Sequence, residues 1–260
     1  MYFPLTKTIT LVLLYPTRFL EMTKNIPNLI TCCNLLCGAI AVWLAIENRL
    51  DVAVLFMVLG IFFDFFDGLA ARALHVKSDV GLQLDSLADV ITSGLVPAII
   101  MVQLLYAALS TSSNTMIGYT MSLENPIPLI GLLIAAASAY RLAKFNVDTR
   151  QTDSFIGLPT PANALLIGSL PLILAYQPSE IITSVILNPW VLAVLICLSC
   201  YLLNANLPLF SLKFKNFSCK ANSVRYVFLS LSIILLLLLK FIAIPFIIVL
   251  YVLFSLKKKK

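Results

Sequence analysis

The sequence predicts an all-α fold: a polytopic integral membrane bundle of about eight transmembrane helices, six of them forming a catalytic core. Three observations carry that expectation. The 260 residues are 60% hydrophobic and only 12% charged, with mean hydropathy +0.99, whereas soluble domains carry about 25% charged residues. The apolar stretches come close to the roughly 20 residues that cross a hydrocarbon core as a helix. Ile, Leu and Val dominate them without period-two alternation, which favours helices over a membrane β-barrel.

Read in order, the apolar runs place spans at about 28–47, 51–72, 84–108, 127–146, 161–176, 186–203, 224–240 and 241–256. The last two are short. They read as a hairpin turning near Lys240, or as one long tilted helix that would carry the C-terminus across the membrane. Basic residues set the orientation. Lys7, Arg18 and Lys24 precede the first span, and Arg72 and Lys77 lie between the second and third. Arg141, Lys144 and Arg150 follow the fourth. Lys213, Lys215, Lys220 and Arg225 join the sixth to the seventh, and Lys257–Lys260 close the chain. Only Arg49 and Lys240 fall on the other side. Both termini and the loop between spans two and three are therefore expected in the cytoplasm, with the protein in the inner, cytoplasmic membrane of the cell. The net charge of +6 reflects this asymmetry and attraction to anionic headgroups. No long basic surface with interleaved aromatics exists, so nucleic acid is not an expected partner.

Residues 1–24 read as an N-terminal extension. Its apolar run from Ile9 to Tyr15 is too short to span and suits an interfacial segment. No small-residue cleavage site follows a long apolar region, so a signal peptide is not expected. Met22 is an alternative natural start. Residues 25–256 form one membrane domain without tandem repeats, and 257–260 form a basic tail that suits a membrane-surface anchor. The six cysteines are expected as free thiols. Cys197 and Cys200 form a C-x-x-C inside an apolar helix with no histidine nearby, which suits helix packing. The loop 110–126 has no Lys or Arg, as an external loop should. The loop 149–161, with Gly157, Pro159 and Pro161, reads as ordered turn chemistry of the kind that closes over a substrate.

The chemistry concentrates in FFDFFDGLAARALHVKSDVGLQLDSLADVITSG. A carboxylate at bilayer depth costs a few kcal/mol even on lenient scales, yet Asp64, Asp67, Asp85 and Asp89 all lie here, a third of the chain's twelve acidic residues. Asp64 and Asp67 share one helix face, and Asp85 and Asp89 share another. The short link from Arg72 to Gly81 makes the two helices antiparallel neighbours whose aspartates converge. Such hard oxygen ligands suit Mg²⁺, Mn²⁺ or Ca²⁺, and four carboxylates suffice for two ions. Metal held this way is typically completed by phosphate oxygens, and two ions can clamp a diphosphate. Gly68 and Ala71 leave room for a bulky ligand, Arg72 can pair with phosphate, and Ser78 can donate a hydrogen bond. One carboxylate can then deprotonate an incoming hydroxyl.

The pattern Asp64-x2-Asp67-Gly68-x2-Ala71-Arg72-x8-Gly81-x3-Asp85-x3-Asp89 resembles the full signature of the CDP-alcohol phosphatidyltransferase family. The resemblance implies transfer of a phosphatidyl group from a CDP-linked lipid, CDP-diacylglycerol, to an alcohol, with release of CMP. It implies Mg²⁺ or Mn²⁺ as cofactor, two divalent ions, and no organic cofactor. Asp64, Asp67 and Asp85 match the family's metal ligands, and Asp89 matches the residue that touches metal and serves as general base. Asn28, Thr31, Gly68, Ala71, Arg72, Ser78 and Gly81 resemble the positions around the CDP-lipid. Asp79 is outside the pattern and reads as a solvated loop charge, as does the only histidine, His75.

Three further features resemble the serine-using members: LDSLADVITSGLVPA, the run Arg141-Leu142-Ala143-Lys144-Phe145-Asn146 followed by FIGLPTPAN, and eight spans instead of six. They imply L-serine as acceptor, with Arg141, Lys144 and Asn146 as acceptor-binding residues. The charge logic agrees, because serine brings a carboxylate to a site rich in aspartates and needs local cations. Arg141 and Lys144 also fit as ordinary membrane anchors. Glycerol 3-phosphate, inositol or an amino alcohol are the alternative acceptors. A cation transporter is the alternative class, disfavoured because the aspartates sit near one face and no inverted repeat of broken helices is present. Membrane lipids are expected partners, and the family resemblance implies a homodimer.

Overall fold

The computed structural model describes residues 25–76, 78–112, 125–147, 154–210 and 222–257. The N-terminal extension with Met22, Lys77, the body of the loop 110–126, residues 148–153, the basic run Lys213–Lys220 with Cys219, and Lys258–Lys260 lie outside the described residues.

The described chain is nearly all helix. Helix α1 spans Ile26–Ile46, α2 Leu50–Ala73 and α3 Asp79–Asp89, the last continuing through a π-helical turn, Val90–Leu95, into α4, Val96–Ser112. A 3₁₀ turn at Ile127–Leu132 leads into α5, Leu133–Val147. Strand β1, Ser154–Ile156, precedes α6, Thr160–Tyr176. Then come α7, Glu180–Ile186; α8, Pro189–Asn204; β2, Pro208–Phe210; α9, Ser223–Leu239; and α10, Ala243–Lys257. Five helical stretches are long and apolar enough to cross a membrane, and six if the bent pair α7–α8 counts as one span. The polytopic helical membrane architecture is thus present.

One of those stretches, Ser223–Leu256, is folded back on itself. Lys240 takes φ 50°, and Phe228 meets the rings of Tyr251 at 5.8 Å and Phe254 at 6.3 Å. In a straight helix, the rise of about 1.5 Å per residue would put these residues more than roughly 30 Å apart. The hairpin reading therefore holds over the single long helix. Counting its two arms and the short α6 gives eight segments; length and apolarity alone give five or six.

Two sequence expectations need correction, and one short helix was not anticipated. The third span starts at Asp79 rather than residue 84, because the Ser78 hydroxyl caps the helix by accepting the Gly81 N–H at 2.9 Å. Asp79 is thus a first-turn helix residue, although exposed. The sixth span, expected at about 186–203, is α8, and a short helix that the sequence reading did not place, α7, precedes it and ends at Ile186 before a 57° bend. Asn188 caps α8 through the Trp190 N–H at 2.9 Å, and Pro189 occupies the helix start, where its missing N–H costs nothing. The turn-rich loop before α6 also carries a strand. β1 pairs antiparallel with β2, Ser154 opposite Phe210 and Ile156 opposite Pro208. Gly157 leaves that ribbon at φ 77°, a left-handed conformation open to glycine. A side chain there would also strike the Leu203 carbonyl at 2.5 Å.

The main core, around Met57, Ile100, Met101, Ile134, Ile167 and Ile196, ties α2, α4, α5, α6 and α8 together. A second cluster of Leu158, Leu166, Leu209, Phe228, Ile248 and Tyr251 seats the C-terminal hairpin on α6 and the ribbon. Gln103 donates to the Ala45 and Ile46 carbonyls at 3.0 Å, closing α1 at the end of the bundle away from the aspartates. Gln177 does the same for the hairpin turn, donating to Leu239 O and accepting the Phe241 N–H. The described cysteines Cys32, Cys33, Cys37, Cys197 and Cys200 are free thiols.

Candidate active site

Helix α1 is what assembles the site. α2 and α3 touch each other only briefly, while α1 packs along α2 and also against α3 and the π-helical turn. From α1, Thr31 donates to Asp67 Oδ2 at 2.5 Å. One turn along the same face, Asn34 reaches Asp89 Oδ1 at 3.5 Å through Nδ2. The Asn34 amide is itself fixed, because Thr92 donates to its Oδ1 at 2.7 Å. Thr31, Asn34 and Thr92 are all buried. One helix thus orients one aspartate from each neighbour.

The close approach of Thr92 depends on two glycines. A side chain at Gly38 would fall on Thr92 Oγ1, and one at Gly60 would meet Thr92 Cγ2 at 2.7 Å and Asn34 Oδ1 at 2.9 Å. Asn34 and Thr92 escaped the sequence reading. The available signal was a polar residue one turn from Thr31 in an otherwise apolar helix.

Asp64, Asp67 and Asp85 present carboxylate oxygens within 4.8 Å of one another. Asp85 Oδ1 is buried with no hydrogen-bond donor. Three converging anionic oxygens, one of them unpartnered, match the donor set that a hard divalent cation requires. Asp89 stands outside that group of three, held by Asn34, but remains within electrostatic range of Asp64 and Asp85.

Beside the carboxylates lies a cavity of about 430 Å³. Asp67 and Asp85 form its inner wall; Asn28, Thr31, Gly68, Ala71, Ser78 and Gly81 line the rest with Pro27, Val76, Asp79 and Leu82. Six of the seven residues expected at a CDP-lipid are therefore together. Arg72 does not line the cavity and is exposed. A Cβ on Gly68 would meet nothing within 4 Å, so this glycine faces open space where a ligand can approach backbone. Gly81 is small for a different reason: a Cβ would collide with Ser78 Oγ at 2.8 Å and Asn28 Oδ1 at 2.9 Å. A broader hollow of about 810 Å³ at the other end of the bundle, near Pro178 and Asn188, is remote from this chemistry.

The three residues expected at the acceptor part company. Arg141 is buried at 7% exposure and lies within electrostatic range of Asp89 and Tyr251. Lys144 points to Asn206 Oδ1 at 3.5 Å, and Asn146 donates to Ser86 Oγ at 2.8 Å. His75 is an exposed residue just past α2 with φ 53°.

With this geometry established, known proteins provide the frame. The family model for CDP-alcohol phosphatidyltransferase matches residues 24–201, well over half of the chain and all of the aspartate site. The chain belongs to the CDP-alcohol phosphatidyltransferase family. It is similar to CDP-diacylglycerol--serine O-phosphatidyltransferase of Bacillus subtilis (strain 168), 37% identical over 140 residues, which cover 52% of this chain and 69% of that protein. The protein of the same name from Helicobacter pylori (strain ATCC 700392 / 26695) is 32% identical over 147 residues, 54% of each chain. Archaetidylserine synthase of Methanothermobacter thermautotrophicus is 34% identical over 147 residues, 55% of this chain and 56% of that one. The alignments thus span roughly half to two thirds of these relatives, and the C-terminal hairpin lies beyond the matched family region.

Proposed function

We propose that this protein transfers the phosphatidyl group of CDP-diacylglycerol to L-serine, forming phosphatidylserine and CMP. The observation that carries the reading is the convergence of Asp64, Asp67 and Asp85, two of which, Asp67 and Asp85, line a cavity shared with Gly68 and Ser78. The names of the relatives support serine as acceptor.

Asp64, Asp67 and Asp85, joined by Asp89, would hold two divalent ions, Mg²⁺ or Mn²⁺. When bound, such ions would neutralise charge on the diphosphate and on the departing CMP. The rest of the work falls to the chain. Thr31 fixes the rotamer of Asp67, and Gly68 lets the diphosphate approach the backbone. Ser78, which uses its oxygen as helix cap, still has a hydroxyl proton to donate. Asp89, aimed by Asn34, takes the proton of the serine hydroxyl. The serine oxygen then bonds to the phosphorus that carries diacylglycerol, the bond from that phosphorus to the CMP oxygen breaks, and CMP leaves with the electron pair. Arg141 attracts the serine carboxylate and offsets repulsion from the aspartates. The catalytic unit is residues 25–256, with the aspartate end and both termini facing the cytoplasm, where nucleotide and serine are soluble. Membrane lipids surround it, and a homodimer is the assembly.

The test is an acceptor screen with purified protein, CDP-diacylglycerol and Mn²⁺ or Mg²⁺. CMP release should require L-serine. Release with glycerol 3-phosphate, inositol or ethanolamine but not serine would overturn the acceptor; metal flux into liposomes without lipid product would overturn the enzyme reading. Arg141→Ala should raise the serine KM about tenfold, the loss of roughly one charge-assisted contact, while the CDP-diacylglycerol KM stays within about twofold. An unchanged serine KM would remove Arg141 from the acceptor site.

A further inference from the structure

Outside the lining of the cavity, and including Arg141 within electrostatic range of Asp89, lie buried polar groups that the protein leaves unpartnered. They are Ser93 Oγ, Ser138 Oγ, Arg141 Nε, and both amide atoms of Asn163. Ser93, Ser138 and Asn163 are fully enclosed, at 0% exposure. Ser138 and Arg141 share a face of α5, one turn apart. A Cβ on Gly94 would meet Ser138 Cβ at 3.1 Å, so Ser138 abuts the π-helical turn beside Ser93. Asn163 comes from α6, which packs against that same turn and against α2. Gly168 of α6 faces Met57 and Val54 of α2, and the far end of α6 meets the hairpin turn through Tyr176 and Phe241. Five residues nearer the aspartate end, about 7.5 Å of helical rise, Asn163 falls about one turn short of Asp64, at the depth of Gly60, the level at which Thr92 and Asn34 meet.

A buried amide with neither half satisfied is an unstable feature in an apolar bundle, and a leucine of similar size would be less costly. The cost is offset if a ligand supplies both partners. We propose that Asn163 is a specificity-determining residue for the acceptor, its Nδ2 donating to the acceptor carboxylate beside Arg141 and its Oδ1 accepting from the acceptor ammonium. The inference rests on the serine-transfer reading and extends it. A zwitterionic amino acid offers one anionic acceptor and one cationic donor next to its hydroxyl, the complement of a free amide. Glycerol 3-phosphate and inositol lack the ammonium, so with either Asn163 Oδ1 meets at best a neutral hydroxyl donor, a weaker hydrogen bond, and that difference selects against them.

The test compares wild type with Asn163→Leu in the full chain, purified in detergent. The variant should show a serine KM raised at least about tenfold, equivalent to about 1.4 kcal/mol, with the CDP-diacylglycerol KM within about twofold. L-serine should raise the Tm of wild type and not that of Asn163→Leu, a binding readout that needs no turnover. The Tm without serine should not fall, because the substitution removes two unsatisfied groups. Should Asn163→Leu not be recovered folded, Asn163→Ala removes the same atoms without added branching and carries the same expectation for the KM values and for the serine-dependent rise in Tm. An unchanged serine KM, or equal rises in both KM values, would overturn the role of Asn163 alone. A wild type that ignores serine and uses another alcohol would overturn the serine reading and this assignment with it.

Discussion

Asp85→Asn should lower phosphatidyl transfer by on the order of 1,000-fold, about 4 kcal/mol of lost transition-state stabilisation, and yet raise the Tm of the metal-free protein. Both effects follow from the same geometry. Asp64, Asp67 and Asp85 gather within 4.8 Å. At an effective dielectric of about 20, each pair of ionised carboxylates at that distance repels by about 3 kcal/mol. Asp64 and Asp85 are near enough to share a hydrogen bond, which is how such a cluster relieves itself when no cation is present. Asparagine keeps the shape of Asp85 and removes one charge, so the empty site relaxes. The same substitution removes an oxygen that has no donor on the protein side and is therefore free for a cation. Thermal melts in EDTA and in Mn²⁺ separate the two effects. Wild type should gain Tm with Mn²⁺, whereas Asp85→Asn should start higher in EDTA and gain little. A lower Tm in EDTA combined with an undiminished Mn²⁺ gain would mean that these aspartates are structural.

The parts of this site visible in the sequence are those fixed by helical period alone. Asp64 and Asp67, and Asp85 and Asp89, are one turn apart, so each pair shares a face whatever the tertiary packing. The ends of α1, α2, α5 and α6 were likewise legible, because polar or proline residues bound each apolar run. What the sequence hides is non-local or cooperative. The Thr92 hydrogen bond to Asn34 joins residues 58 apart. Each partner is readable as an odd polar residue in an apolar helix, but their meeting depends on Gly38 and Gly60 lying at the crossing. The π-helical turn at Val90–Leu95 has no composition of its own; it appears where Thr92 must turn toward α1. The short α7 was not anticipated because its seven residues, with Glu180, Thr183 and Ser184 among them, form no long apolar run. The β1–β2 ribbon pairs two three-residue strands across the whole of α6 to α8, and neither strand is long enough to declare itself. The direct contact between α2 and α3 was overestimated for a related reason: a short link predicts adjacency, but a third helix can take the interface.

Asp89→Asn should lower kcat by about 100- to 10,000-fold, the usual span for loss of a general base, while reducing CDP-lipid and metal binding much less than turnover. Its position sets it apart from the other three aspartates. They cluster within 4.8 Å of one another, with Asp67 and Asp85 lining the cavity, whereas Asp89 meets Asn34 and lies within electrostatic range of Arg141. Thr92 holds Asn34 so that its Nδ2, a donor, faces Asp89. In Asp89→Asn the new amide therefore turns its oxygen to Asn34 and its NH₂ toward the acceptor. That NH₂ can donate a hydrogen bond to the serine hydroxyl but cannot take its proton. Because the substitution is nearly isosteric, the serine and lipid KM values should change little, and the Mn²⁺ gain in Tm should persist, unlike that of Asp85→Asn. Loss of the Mn²⁺ response in proportion to kcat would make Asp89 a metal ligand first. Asn34→Leu gives an independent reading of the same arrangement: it leaves the carboxylate chemically intact but frees its rotamer, so kcat should drop less than in Asp89→Asn and the KM values should hold. If Asn34→Leu and Asp89→Asn instead weakened CDP-lipid binding equally, the hydrogen bond between them would serve the nucleotide cavity and not the acceptor side.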